Sequence, residues 1–73
     1  MNGRGSFELF CVDVRPDEQG NYRVHRYGCP QFPDEYEFLG TFLSGRQAVQ
    51  IAKARGYRAA SGCIHCNPAG HAS

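Results

Sequence analysis

The sequence predicts a small α+β domain in which an antiparallel sheet of two or three strands packs on one helix. Three observations predict it. Two runs rich in β-branched and aromatic residues, Phe7–Val14 and Tyr22–Tyr27, are separated by a polar turn. One segment between Ser44 and Gly56 repeats its apolar residues at helical spacing. The chain has 73 residues, 41% apolar and 21% charged, which suffices for one domain but not two.

Phe7–Val14 places Phe7, Leu9 and Cys11 on one face of the first strand. Arg15–Asn21 holds Pro16, Asp17 and Gly20, the chemistry of a turn, so Tyr22–Tyr27 should return antiparallel and close a hairpin. Gly28–Glu35 contains Pro30 and Pro33 and reads as a loop. Glu37–Phe42 supplies a short third strand, weakened by Gly40. Ser44 and Gln47 stand at capping-box spacing, with the serine hydroxyl expected to accept the N–H of the third helical residue. The helix then presents Ala48, Ile51, Ala52 and Arg55 on one face and Arg46, Gln50 and Lys53 on a polar stripe, and stops at Gly56. Tyr57–Ala60 leads into a tight turn, Gly62–Pro68. The domain is expected to span residues 7–68, with flexible ends at 1–6 and 69–73.

No run of about 18 apolar residues is present, and Glu8 and Asp13 interrupt the first apolar stretch, so the sequence predicts neither a membrane span nor a signal peptide. The expected address is cytoplasmic, where thiols stay reduced and four cysteines point to metal or redox chemistry rather than disulfides. A staple is needed, because below about 70–80 residues a core rarely supplies more than about 3–5 kcal/mol. Eight Lys plus Arg against seven Asp plus Glu leave a net charge of +1, too little to draw the whole domain onto DNA.

Cys63 and Cys66 are two residues apart in a turn, and His25 and Cys29 are three residues apart where the second strand ends. Three thiolates and an imidazole are a donor set that tetrahedral Zn²⁺ accepts, and two short-range pairs joined by a long segment are how small zinc folds close. Such a site is worth ~10–16 kcal/mol in finger peptides, more than a core of this size. Four protein ligands leave no position for an activated water, so the site is structural. His71 competes with His25 as the fourth ligand, whereas His65 lies between the two thiols and should point away. Cys11, without a paired thiol, reads as a small core residue.

His25-Arg26-Tyr27-Gly28-Cys29-Pro30, Gly40-Thr41-Phe42-Leu43-Ser44-Gly45-Arg46-Gln47-Ala48, Gly56-Tyr57-Arg58 and Cys63-Ile64-His65-Cys66-Asn67-Pro68 follow one another in an order that resembles the Ada-type metal-binding domain. The resemblance covers about residues 22–68 and implies that His25, Cys29, Cys63 and Cys66 bind one zinc ion. Two departures matter. The family's methyl-accepting member uses a thiol at the first ligand position, and His25 cannot serve as that nucleophile. Ala59–Gly62 is an insertion that should lengthen the metal loop and alter the direction of Arg58, where the family's basic residues meet DNA phosphates.

The expected function is non-enzymatic recognition by a zinc-rigidified module. Three thiolates around Zn²⁺ add −1 and bring the formal charge to about zero, which favours a protein partner of the adaptor or inhibitor type. Nucleic-acid binding through Arg23, Arg26, Arg46, Lys53 and Arg58 is the alternative. A Cys63/Cys66 redox dithiol is third; it lacks the helix N-terminus that depresses a thiol pKa. Neither Glu35 with Glu37 nor Asp17 with Glu18 suggests a catalytic pair, and so short a chain is not expected to form a substrate cleft of a few hundred Å³ or bind a small molecule.

Overall fold

The structure is a computed structural model and describes residues 7–30, 32–64 and 66–67. Within them the chain runs β1 (Glu8–Asp13), β2 (Tyr22–Arg26), β3 (Tyr36–Phe42), α1 (Gly45–Ala54) and β4 (Ala60–Gly62). The α+β class and the packing of the sheet on one helix are as the sequence predicts. The sheet is larger than expected. It has four strands in the order β3-β1-β2-β4, and it is mixed, since β4 pairs parallel to β2 while the other pairings are antiparallel.

The β1–β2 hairpin closes through Asp17, whose Oδ1 accepts the backbone N–H groups of Gln19 and Asn21, both at 2.9 Å. The register sets Cys11 opposite His25 and Val12 opposite Val24, so alternate side chains leave on opposite faces. Phe10, Val12 and Val24 go to the helix side, where they join Leu39, Ala48, Val49, Ala52 and Ala60 in the core. Burying each of the three core valines stabilises the fold by about 1.5–3 kcal/mol. The other face of β1 carries Cys11, fully buried, with Phe7 67% exposed beyond its end.

β3 pairs with β1 through a bulge. Phe10 faces Gly40 and Cys11 faces Phe38, so Leu39 is the extra residue and turns into the core. Gly40 has φ 123°, and a side chain added there would meet the Phe42 ring at 3.6 Å. The glycine that weakens β3 in the sequence is the residue that lets the bulge form.

Helix α1 differs from expectation in two details. The Ser44 hydroxyl accepts from Arg46 N–H, the second helical position, while Gln47 N–H bonds the Ser44 carbonyl. The buried face is Gly45, Ala48, Val49 and Ala52, and Ile51 and Arg55 are exposed. Small residues at 45, 48 and 52 let the helix lie close to the sheet, and Val49 fills the contact. The helix ends as the sequence predicts, at Gly56 with φ 111°; Gly56 N–H bonds Lys53 O and Tyr57 N–H bonds Ala52 O, the Schellman pattern. This helix is too short and polar to cross a membrane, and no other described helix does so.

Candidate metal centre

His25 lies on β2, on the face away from α1, and is 5% exposed. The chain then folds back immediately. Cys29 N–H bonds Arg26 O at 3.0 Å, with Gly28 at φ 95° in the corner, and this turn returns Cys29 beside the strand it has just left. A second turn, Phe32 N–H to Cys29 O at 3.0 Å, follows at Pro30. The three-residue spacing between His25 and Cys29 is therefore the length of one reversed turn.

The other two donors arrive through β4. Ala60–Gly62, expected to lengthen a loop, instead forms a strand beside β2, and the pairing continues past its end with Cys63 N–H bonded to Val24 O at 3.0 Å. Cys63 is thus held next to His25 by backbone hydrogen bonds. Asn67 N–H to Cys63 O, 2.7 Å, closes the knuckle and returns Cys66 to the same point.

The donor atoms of His25, Cys29, Cys63 and Cys66 all lie within 4.8 Å of one another. The Cys29 and Cys63 sulfurs are 4.0 Å apart, and Cys66 Sγ is 3.8 Å from His25 Nδ1. A tetrahedral ion with bonds of about 2.0–2.3 Å separates its ligands by about 3.5–3.8 Å, so the group is close to closing on one ion. Arg26 N–H donates to Cys66 Sγ at 3.2 Å, the kind of contact that supports a sulfur carrying negative charge. These four side chains form a cluster that could hold a metal ion.

Protonation argues the same way. Burial holds the His25 imidazole below its ordinary pKa, leaving it neutral with a lone pair to give. Burial, reinforced by the neighbouring sulfurs, pushes the Cys66 thiol up to about 12. Without a cation the Cys66 thiol would be protonated and a poor nucleophile, the reverse of what a redox dithiol needs. Cys11 is also buried and pushed up to about 11, and it stands outside the cluster, as a core residue does.

His71 and His65, the other histidines weighed as ligands, lie outside the described residues, as do Pro68 and the two ends expected to be flexible. The five basic residues named as a partner surface divide. Arg23 bonds Asp17 at 2.8 Å and Gly62 O at 3.3 Å, and Arg26 bonds Glu8 at 3.0 Å. Arg46, Lys53 and Arg58 make no ion pair among the described residues.

Two features escaped the sequence. Asn67 is 2% exposed, and its side-chain amide donates to Val24 O and Gly45 O, both at 3.3 Å, pinning the knuckle to β2 and to the start of α1. An open groove of about 380 Å³, lined by Asp13, Arg15, Pro16, Pro33, Asp34 and Glu35, also corrects the expectation that the chain forms no cleft of that size. It shares no residue with the His/Cys cluster. Compared with protein-family models, with curated proteins and with solved structures, the chain gives no significant match.

Proposed function

We propose that the chain is a structural zinc module that works by binding another macromolecule and catalyses no reaction. The convergence of His25, Cys29, Cys63 and Cys66 from one turn and one knuckle is the observation that carries this reading. Three sulfurs and a neutral imidazole suit Zn²⁺ and leave it no open position, so the ion would supply rigidity rather than Lewis acidity. The ordered residues that resemble an Ada-type metal-binding domain support the same ligand set. His25 in place of a thiol at the first position removes the methyl-accepting chemistry of that family.

A protein partner is the favoured reading. Arg15, Arg23, Arg26 and Arg55 are each tied to a carboxylate, which reduces what a polyphosphate could use. Arg46, Lys53 and Arg58 favour nucleic acid as the second reading. Native mass spectrometry of the purified chain tests the metal: one zinc ion per chain is expected, retained in Cys11→Ser and lost in Cys29→Ser and Cys66→Ser. Equal retention in all three would overturn the ligand set. Salt tests the partner, since phosphate contacts weaken steeply between low and moderate ionic strength and an apolar interface does not.

A further inference from the structure

Among the described residues no helix or second sheet packs on the sheet face opposite α1; Cys11 and His25 are buried there, and aromatic rings gather around them. In register, Tyr36 stands beside Asp13 and Phe38 beside Cys11, which itself faces His25. Tyr27, in the turn that returns Cys29, meets Phe38 at 6.3 Å and Phe32 at 5.5 Å between ring centroids. Phe32 meets Tyr36 at 4.6 Å and His25 at 6.0 Å, and Tyr36 meets Phe38 at 5.2 Å. Four rings therefore form one connected patch that ends on a residue of the metal cluster. Tyr27 is 58%, Phe38 49% and Tyr36 36% exposed, although rings of this size in so small a fold would be expected to fill its core.

The charge bordering this patch is net negative. Asp13, Asp34 and Glu35 border it through the neighbouring groove, and Arg15 is the one cation there, bound to Glu35 at 2.7 Å. Arg46, Lys53 and Arg58, which make no ion pair among the described residues, lie on α1 and in the turn after it, outside that groove. Aromatic faces attract guanidinium and ammonium groups, and a carboxylate border strengthens that preference while repelling phosphate.

We infer that this aromatic face is the docking surface for a protein segment that carries arginine or lysine among apolar side chains. The inference rests on the zinc-module reading, and it adds which surface is used and what chemistry meets it. The turn bearing Cys29 also bears Tyr27 and leads to Phe32, so the metal would set the spacing of the rings. Nucleic acid is disfavoured on this face by the border that favours a basic peptide.

The test is an NMR titration of the zinc-loaded, isotope-labelled chain with three probes: a capped pentapeptide alternating leucine and arginine, its leucine–glutamate counterpart, and a thymidine octanucleotide. The arginine peptide is expected to shift the ring signals of Tyr27, Phe32, Tyr36 and Phe38 and to bind at least tenfold tighter than the glutamate peptide. That binding should fall at least tenfold in Tyr27→Ala/Phe38→Ala and in Asp34→Asn/Glu35→Gln, whose substituted side chains are exposed and outside the metal cluster. Equal binding of the two peptides, ring shifts caused by the octanucleotide, shifts confined to α1, or no ring shifts would each overturn the inference. Zinc content measured on the same samples separates the two readings. A chain with one zinc ion and silent rings sinks only the docking surface; a chain that folds and binds without zinc sinks the module.

Discussion

Gly45 illustrates how much one residue decides here. It is the first residue of α1 and is buried, and a Cβ on it would collide with the amide of Asn67. The absence of a side chain lets Asn67 bond both Gly45 O and Val24 O, which joins the helix, β2 and the knuckle in one place. Gly45→Ala should destabilise the zinc-loaded chain by about 1–3 kcal/mol, the usual cost of overpacking, despite alanine's better helix propensity. Asn67→Ala removes the obstacle together with the two hydrogen bonds, so the double variant should be less destabilised than the sum of the singles. Denaturant unfolding of the four proteins checks this, and strict additivity would show that the two residues do not press on each other. Neither role is legible in the sequence, where the cap signal belongs to Ser44 and Gln47 rather than Gly45, and Asn67 reads as part of a turn.

At the scale of elements, what local chemistry determines was legible and what pairing determines was not. The hairpin, the helix and its glycine stop follow from Asp17 and Gly20, Ser44 and Gly56, residues whose signals lie within a few positions of their effect. β4 is Ala60-Ser61-Gly62, without a β-branched or aromatic residue, and it is a strand only because β2 offers it a parallel edge. The His/Cys spacing was legible for the opposite reason: each pair spans a single turn, although the arrival of the second pair depends on β4. The tie between β3 and α1 belongs to this scale too. Arg55 Nη1 donates to Glu37 Oε2 at 2.6 Å and to Phe38 O at 3.0 Å, and Tyr57 O–H donates to Glu37 Oε1 at 2.8 Å. These bonds, Arg55 first, hold the Glu37 carboxyl below the usual glutamate range. A depressed carboxyl binds fewer protons folded than unfolded, so its contribution is complete above the unfolded pKa and is lost as pH falls through the folded one. Thermal unfolding between pH 6 and pH 3 should therefore fall less steeply in Glu37→Gln than in the parent. Parallel slopes would mean that the carboxylate contributes nothing to acid stability.

For the molecule as a whole, the question is which term holds 73 residues together. The four ion pairs among the described residues contribute little, because solvent screens them and holding two long side chains together costs entropy. Among the described residues the core is eight residues, three of them alanine, with Tyr22, Phe42 and Tyr57 packed half-buried against it, while Tyr27, Phe32, Tyr36 and Phe38 lie on the opposite face. Backbone ordering alone costs roughly 1–2 kcal/mol per residue, so a core this small leaves a narrow margin. An ion bound at the cluster would act at the point of greatest leverage, because it joins the end of β2 to a knuckle 34 residues beyond Cys29, and its ~10–16 kcal/mol exceeds what any one buried side chain or ion pair supplies. Zinc-loaded protein should thus melt cooperatively, with a midpoint that rises with free zinc, as mass action requires of a ligand that binds only the folded state. Excess EDTA should abolish the transition and the near-ultraviolet dichroism of the Tyr27, Phe32, Tyr36 and Phe38 rings, and added zinc should restore both. Cys11→Ser separates metal loss from core damage: its melting point should drop, since it places a hydroxyl in a fully buried apolar site, while its zinc dependence stays intact. An EDTA-treated chain with the same midpoint and ring signals as the zinc-loaded one would mean that the valine core suffices and that the cluster does not hold the fold.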